Sequence, residues 1–298
     1  MKDVVVGGSG WVSSVAIELL LKKFGTNLNS LYVYGSRARI QKIDEKSIVE
    51  IKEWNVNEIE TEVRFFIPAA FLTVDKFDVY GELEYRKLNE QLIQKAADFV
   101  AQNSPKFCVL VSSGITNSNL NLLNRSLGYR VYRELKLQEE YLLKHQCKIS
   151  GTNLLVCRLF SASGNRVNDY QKYAISNFAF QGLGNRRIIV ESSFPIFRKY
   201  VDMSQLLEIC LYAVQDNLFL EFDSTGCLVE LHDLASIVAR KLSIAQENYQ
   251  VIDSNVDNYF SNRNDMENLA LKYGISLFSI EKQVEETIEA VRHLIRGK

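Results

Sequence analysis

The sequence predicts an α/β fold, a doubly wound parallel sheet with a smaller C-terminal α/β lobe. Three observations point there. A glycine cluster follows the first apolar run directly, apolar runs alternate with amphipathic stretches through the first half, and the pattern changes after Phe160. Strands that alternate with helices pair in parallel through crossovers and bury both faces of the sheet.

The elements follow in order. Residues 4–6 (Val-Val-Val) read as a buried strand, 12–23 carry helical periodicity, and 31–34 form a second strand. Residues 65–70 give another strand, 88–102 a helix, 107–111 a strand, 129–145 a long helix and 153–159 a strand. Beyond Phe160, residues 164–184 mix helix and loop, and 188–191 read as a short strand. Helices follow over 201–215 (opened by Ser204), 228–242 and from Ile280 onward. The expected division is a dinucleotide-binding domain over 1–160 and a substrate lobe over 161–298, with segments near 188–215 returning to the main domain. That lobe is expected over the carboxyl ends of the strands, where open α/β sheets bind ligands.

Composition narrows the function classes. The chain of 298 residues is 47% hydrophobic and 24% charged, an ordinary profile for a protein with a full core. Its 35 basic and 36 acidic side chains leave no surplus to hold a phosphate backbone, so nucleic acid is not an expected partner. No run approaches the length of a membrane span, and no leader is read at the N-terminus. Five scattered cysteines without CxxC spacing read as free thiols, and a cytoplasmic location is expected. Three histidines far apart make a zinc site improbable, and no metal is expected.

The run Val4-Val5-Val6-Gly7-Gly8-Ser9-Gly10-Trp11-Val12-Ser13 ends a strand and opens a helix. Gly7 and Gly10 have the spacing that lets a backbone turn tightly and approach a pyrophosphate at the helix N-terminus. Ser13 takes the third position, where a small residue permits close helix–strand packing. Glycines that only make a turn would look the same locally. After the second strand comes Ser36-Arg37-Ala38-Arg39, with no acid until Asp44. An acid there would select NAD. Ser36, Arg37 and Arg39 instead offer a hydroxyl and two forked cations to a 2′-phosphate, favouring NADP(H) with NAD open. A solvated basic turn is the bland alternative.

Tyr132 and Lys136 lie four residues apart, on one helix face. A nearby cation favours the phenolate, which suits tyrosine to proton transfer. Ser113, at the end of the strand over 107–111, is placed to hold a substrate oxygen. With 14 tyrosines, about one such tyrosine–lysine spacing arises by chance, so order carries the argument: glycine loop, basic strand end, Ser113, then Tyr132.

With these motifs together, the chain resembles the extended short-chain dehydrogenase/reductase family, the branch of nucleotide-sugar epimerases, dehydratases and reductases. The residues at 7–12 resemble its glycine-rich start, bringing in Trp11 and Val12. Phe66-Ile67-Pro68-Ala69-Ala70 is similar to its fourth-strand segment, so Ala69 and Ala70 join the cofactor set, and Asn89 falls where a helix asparagine is expected. Tyr132, Lys136 and Glu140 fit its tyrosine helix, and Arg158-Leu159-Phe160 with Gly164 its next strand and turn. Phe197-Arg198-Lys199-Tyr200-Val201 resembles the element whose arginine contacts the nucleotide diphosphate, which gives Arg198 that role. Departures are Ser13, Val6, Ser161, Lys199, the 203–205 stretch and a short segment between Ser113 and Tyr132.

The resemblance implies a Rossmann-type fold, an oxidoreductase or epimerase, and a nucleotide-sugar substrate. The leading expectation is an NADPH-dependent reductase of a nucleotide-linked 4-keto-6-deoxy sugar, in surface-polysaccharide or deoxysugar biosynthesis. The alternative is a 4-epimerase with tightly bound NAD. A catalytically silent scaffold or sensor is a third reading. Dehydration is disfavoured because Gly114-Ile115 follows Ser113, where an Asp-Glu pair is needed. A homodimer is implied, with Val100, Leu135 and Leu142 as contacts or as core.

Overall fold

The computed structural model describes residues 1–43, 47–54, 61–117, 126–216, 218–245 and 255–296; Asp44 lies outside them. The elements run β1 (Lys2–Val6), α1 (Trp11–Lys23), β2 (Leu31–Gly35), β3 (Arg39–Lys42), β4 (Ile48–Glu53) and β5 (Val63–Pro68). Next come α2 (Phe77–Asn103), β6 (Phe107–Ser113), α3 (Leu127–Ser150), β7 (Asn153–Leu159), β8 (Ser161–Ser163), α4 (Ala174–Asn185) and β9 (Ile196–Asp202). The rest are α5 (Met203–Asp216), β10 (Phe219–Asp223), β11 (Cys227–Glu230), α6 (Leu231–Leu242), β12 (Asp257–Tyr259), α7 (Asp265–Lys272) and α8 (Ile280–Arg296).

The chain forms two compact units, Met1–Arg158 with Cys210–Phe222, and Leu159–Ile209 with Asp223–Lys298. The first holds an eight-stranded sheet in the order β10-β7-β6-β5-β1-β2-β4-β3. The pairs β1–β2, β1–β5, β2–β4 and β5–β6 are parallel. Because β1 has β2 on one side and β5 on the other, the order reverses beside it, and the crevice at its carboxyl end is the ligand position of such sheets. Val4, Val5 and Val6 are fully buried, as a central strand covered on both faces requires. Phe66 stacks on Phe99 of α2 at 4.2 Å, in a cluster with Leu110, Leu143 and Val156. Each such buried side chain contributes about 1.5–3 kcal/mol.

The second unit is built on β9, which pairs in parallel with β8 and β12 and antiparallel with β11. Helix α8 is fastened to it by buried polar groups. Gln283 Nε2 donates to the Tyr200 carbonyl, and its Oε1 accepts from Ser163 Oγ at 2.6 Å. Thr287 Oγ1 accepts the Gly164 amide at 2.8 Å. Gly164 has φ +111°, and a Cβ there would lie 2.1 Å from Asp202 Oδ2.

Several sequence expectations are corrected. Residues 188–191 are not a strand: Ile188 and Val190 are buried, but the Ile189 amide donates to the Gln181 side chain rather than to a neighbouring strand. The strand in that region is β9. The 201–215 helix starts at Met203 and is capped by Asp202, whose Oδ1 accepts the amides of Ser204 and Gln205. The 228–242 segment is divided at Glu230, whose carboxylate accepts the amides of His232 and Asp233, so that strand β11 precedes helix α6. Val100 and Leu135 are 0% and 1% exposed; they are core, not surface available to a second copy. Among the described residues no helix is long and apolar enough to cross a membrane.

Candidate active site

The first unit gathers most of the expected site residues around the carboxyl end of β1. The Gly7 amide donates to the Tyr34 carbonyl at 2.9 Å, and the Ala69 amide to the Val6 carbonyl at 2.9 Å, which ties the loop to both neighbouring strands. Gly7 has φ +110°, and a Cβ there would meet the Ala69 carbonyl oxygen at 2.6 Å. Only glycine fits that conformation at that distance. Gly10 caps α1 with no side-chain hydrogen bond, and the first turn carries no acid. Ser13 is fully buried and its Oγ donates to the Val6 carbonyl, so this small residue packs where a glycine is usual. Trp11 is buried, and Val12 half-buried.

Strand β3 lays two donors along this loop. Arg39 Nη2 donates to Ser9 Oγ, while its buried Nε has no hydrogen-bond partner, and Gln41 Nε2 donates to Ser14 Oγ. Ser36 and Arg37 are exposed past the end of β2. A helix start with no capping side chain, no nearby acid and an adjacent guanidinium suits an anion, and these residues fit the diphosphate of a dinucleotide.

The segment after β5 is held by α2. Asn89, fully buried, accepts the Leu72 amide at 2.8 Å and donates to the Leu72 carbonyl, which Tyr85 also reaches at 2.7 Å. Ala69 and Ala70 are half-buried just before it. Phe71 on the same segment meets the Tyr132 ring edge-on at 5.7 Å.

Ser113 ends β6, and its hydroxyl accepts the Ile115 amide. Burial pushes the Tyr132 phenol up to about 12, with a smaller contribution from the Glu139, Asp75 and Tyr129 charges, against a hydrogen bond to Ser113 that favours the phenolate. Lys136 is 4% exposed; its ammonium donates to the Glu139 carboxylate and stands 4.3 Å above the Phe71 ring. The next residue frames the site. Glu140 accepts from Ser112 Oγ at 2.7 Å, Thr116 Oγ1 at 2.9 Å and Arg158 Nη2 at 2.7 Å. Burial opposes its ionisation, but Arg158 and the two hydroxyls outweigh it and hold the carboxyl below its ordinary value.

Arg198 belongs to the second unit. Its guanidinium donates to Asp257 Oδ2 at 2.8 Å and to the Asp257 carbonyl at 3.1 Å, and sits 5.5 Å from the Tyr259 ring centre. Sequence reasoning missed Glu139 and Phe71. Glu139 is three residues past Lys136 and seven past Tyr132, hence on their helix face, and that spacing was its available signal.

No family model matches the sequence, and no curated protein matches it. Solved structures do. The Bordetella bronchiseptica enzyme WbmF in complex with NAD+ and UDP aligns at TM-score 0.79 and 15% identity, over 99% of this chain and 93% of that one. A UDP-galactose 4-epimerase aligns at TM-score 0.72 and 19% identity, over 99% and 100%. UDP-glucuronic acid 4-epimerase from Bacillus cereus, in complex with NAD, aligns at 0.72 and 13%, over 100% and 98%. With a fold shared end to end, the chain has the architecture of these solved structures.

Proposed function

We propose that this chain is a nicotinamide-dinucleotide-dependent enzyme acting on a nucleotide sugar in the manner of a 4-epimerase. The supporting observation is that Tyr132 and Lys136 share the Phe71 ring, the phenol edge-on at 5.7 Å and the ammonium 4.3 Å from its centre, in the unit that carries the glycine loop and Ser113 at the end of β6. The structural neighbours shift the balance from the reductase that the basic strand end suggested toward the epimerase, since the neighbours named above are epimerases or an NAD+-bound enzyme.

Gly7, Gly10, Trp11, Val12, Ala69 and Ala70 would hold the dinucleotide, with Arg39 beside its diphosphate and Lys136 anchoring its nicotinamide ribose. A bound nicotinamide would accept and return the hydride. Tyr132 takes the proton of the sugar hydroxyl as its carbon is oxidised and returns it on reduction. Ser113 would hold the same oxygen. Burial pushes the Tyr132 phenol up and Lys136 is paired with Glu139, so the ammonium would favour the phenolate once it is drawn from Glu139. Arg198 is the proposed contact for the nucleotide diphosphate, for which it would exchange its Asp257 partner.

A second reading, NADPH-dependent reduction of a nucleotide-linked keto sugar, is favoured by one observation. Residues 31–43 contain no acid, while Ser36 and Arg37 stand exposed past β2. Denaturing the purified protein and identifying the released dinucleotide, then following UDP-hexoses by NMR, separates the two. Retained NAD with C4 interconversion supports the epimerase; net NADPH consumption by a keto sugar supports the reductase. In either case Tyr132→Phe is expected to lower turnover at least about 10²-fold with dinucleotide affinity unchanged. Near-normal turnover would remove Tyr132 from the mechanism.

A further inference from the structure

Lys136 and Glu139 form an ion pair in which the two residues are only 4% and 2% exposed. A carboxylate so placed keeps its charge only while a cation stays beside it. Around Glu139 stand Lys136, Tyr132 and Glu140 on its own helix and Cys108 from β6. Of these groups Lys136 is the cation, since Glu140 is engaged by Arg158. Yet Lys136 is also the side chain that a dinucleotide ribose would draw away.

We propose that Glu139 is a positioning residue that holds the Lys136 ammonium and releases it to the dinucleotide by taking up a proton. This rests on the dinucleotide reading above. The balance is simple: the ammonium keeps its charge and turns to the ribose hydroxyls, and the Glu139 carboxylate becomes a carboxyl with a proton from solvent. Burial already pushes the Glu139 carboxyl up, and Glu140 adds to it, so that Lys136 alone favours the charged form. Removing that one favourable partner tips the group to neutral.

Calorimetric titration with NAD in buffers of different ionisation heat counts the protons. The wild-type chain is expected to take up close to one proton per NAD near neutral pH, and its affinity to fall by up to tenfold per pH unit. The Glu139→Gln chain should take up none and show a flat profile, and Glu139→Asp should restore uptake. In the wild-type chain NAD should also raise an infrared band of a protonated carboxyl. Equal uptake in wild type and Glu139→Gln, or no such band, overturns the proposal.

A readout without dinucleotide keeps the two readings apart. Subtracting the tyrosinate absorbance of each chain's Tyr132→Phe counterpart isolates the Tyr132 titration. Glu139→Gln is expected to lower its midpoint, because a negative neighbour is removed while Lys136 remains. An unmoved midpoint overturns the role of Glu139 even where NAD binds. Failure of both chains to bind NAD, with the midpoint lowered, overturns the dinucleotide reading and the release step but leaves Glu139 as the counter-ion of Lys136.

Discussion

Replacing Arg37 and Arg39 one at a time separates two roles that look alike in the sequence. Arg39 reaches back to Ser9 on the glycine loop, whereas Arg37 is exposed past β2. Arg39→Ala is expected to weaken NAD and NADP alike, about tenfold or more, because the lost partner would be the shared diphosphate. Arg37→Ala should weaken NADP alone, and equal losses for both cofactors at Arg37 would remove it from a 2′-phosphate site. Binding isotherms with each dinucleotide read both outcomes. The difference between the two arginines was invisible in the sequence because it depends on β3, a strand whose Ile40 is 76% exposed and whose pattern never declared itself. Tyr132, Lys136 and Ser113 were legible because their spacing is local or falls at a strand end. The neutralising partner Glu139 was not, since a glutamate at that spacing is usually a solvated surface residue and only its burial marks it out.

Among the elements, the start of α5 has a measurable acid dependence. Burial pushes the Asp202 carboxyl up to about 6, against the two amides of Ser204 and Gln205 that favour its charge. A carboxyl raised in the folded state binds protons more tightly there than in the unfolded chain. The stability it adds is complete below the ordinary carboxylate range and is lost as pH rises through about 6. Asn at a helix start accepts the same amides. Asp202→Asn is therefore expected to melt progressively higher relative to wild type as pH goes from 4 to 7; a constant difference in thermal midpoint would contradict this. Elements marked by a continuous apolar run or a long amphipathic stretch, such as β1, β6, α3 and β7, were readable from sequence alone. Strands β3, β4, β9 and β11 were not. Strand β4 alternates over six residues only, and β9 is flanked by an extended stretch with the same apolar content, so tertiary partners decide which segment pairs.

For the molecule as a whole, Val100 and Leu135, read from the sequence as contacts or as core, are core, while Leu83 and Val79 on α2 are 87% and 71% exposed and Tyr141 on α3 is 67% exposed. A homodimer built on α2 and α3 would bury these side chains, and Leu83→Glu combined with Tyr141→Glu should shift sedimentation toward the monomer with the fold retained. An unchanged oligomeric state would place any dimer contact on another face. The α/β class was legible because alternation of strand and helix repeats through the whole first half. The course of the second unit was not, because among the described residues the short strands β8, β11 and β12 all pair with β9 from distant parts of the chain. Two glycines bear on a different matter, the freedom of this sequence to drift. At Gly7 a side chain would strike backbone, and at Gly164 it would strike a carboxylate that is itself pinned by two amides. Neither neighbour can swing aside as a flexible side-chain tip would. In a saturation library selected for folding, positions 7 and 164 should return glycine almost alone, while the half-buried Ser161 accepts replacements, and 164 should loosen only in clones that have also changed Asp202.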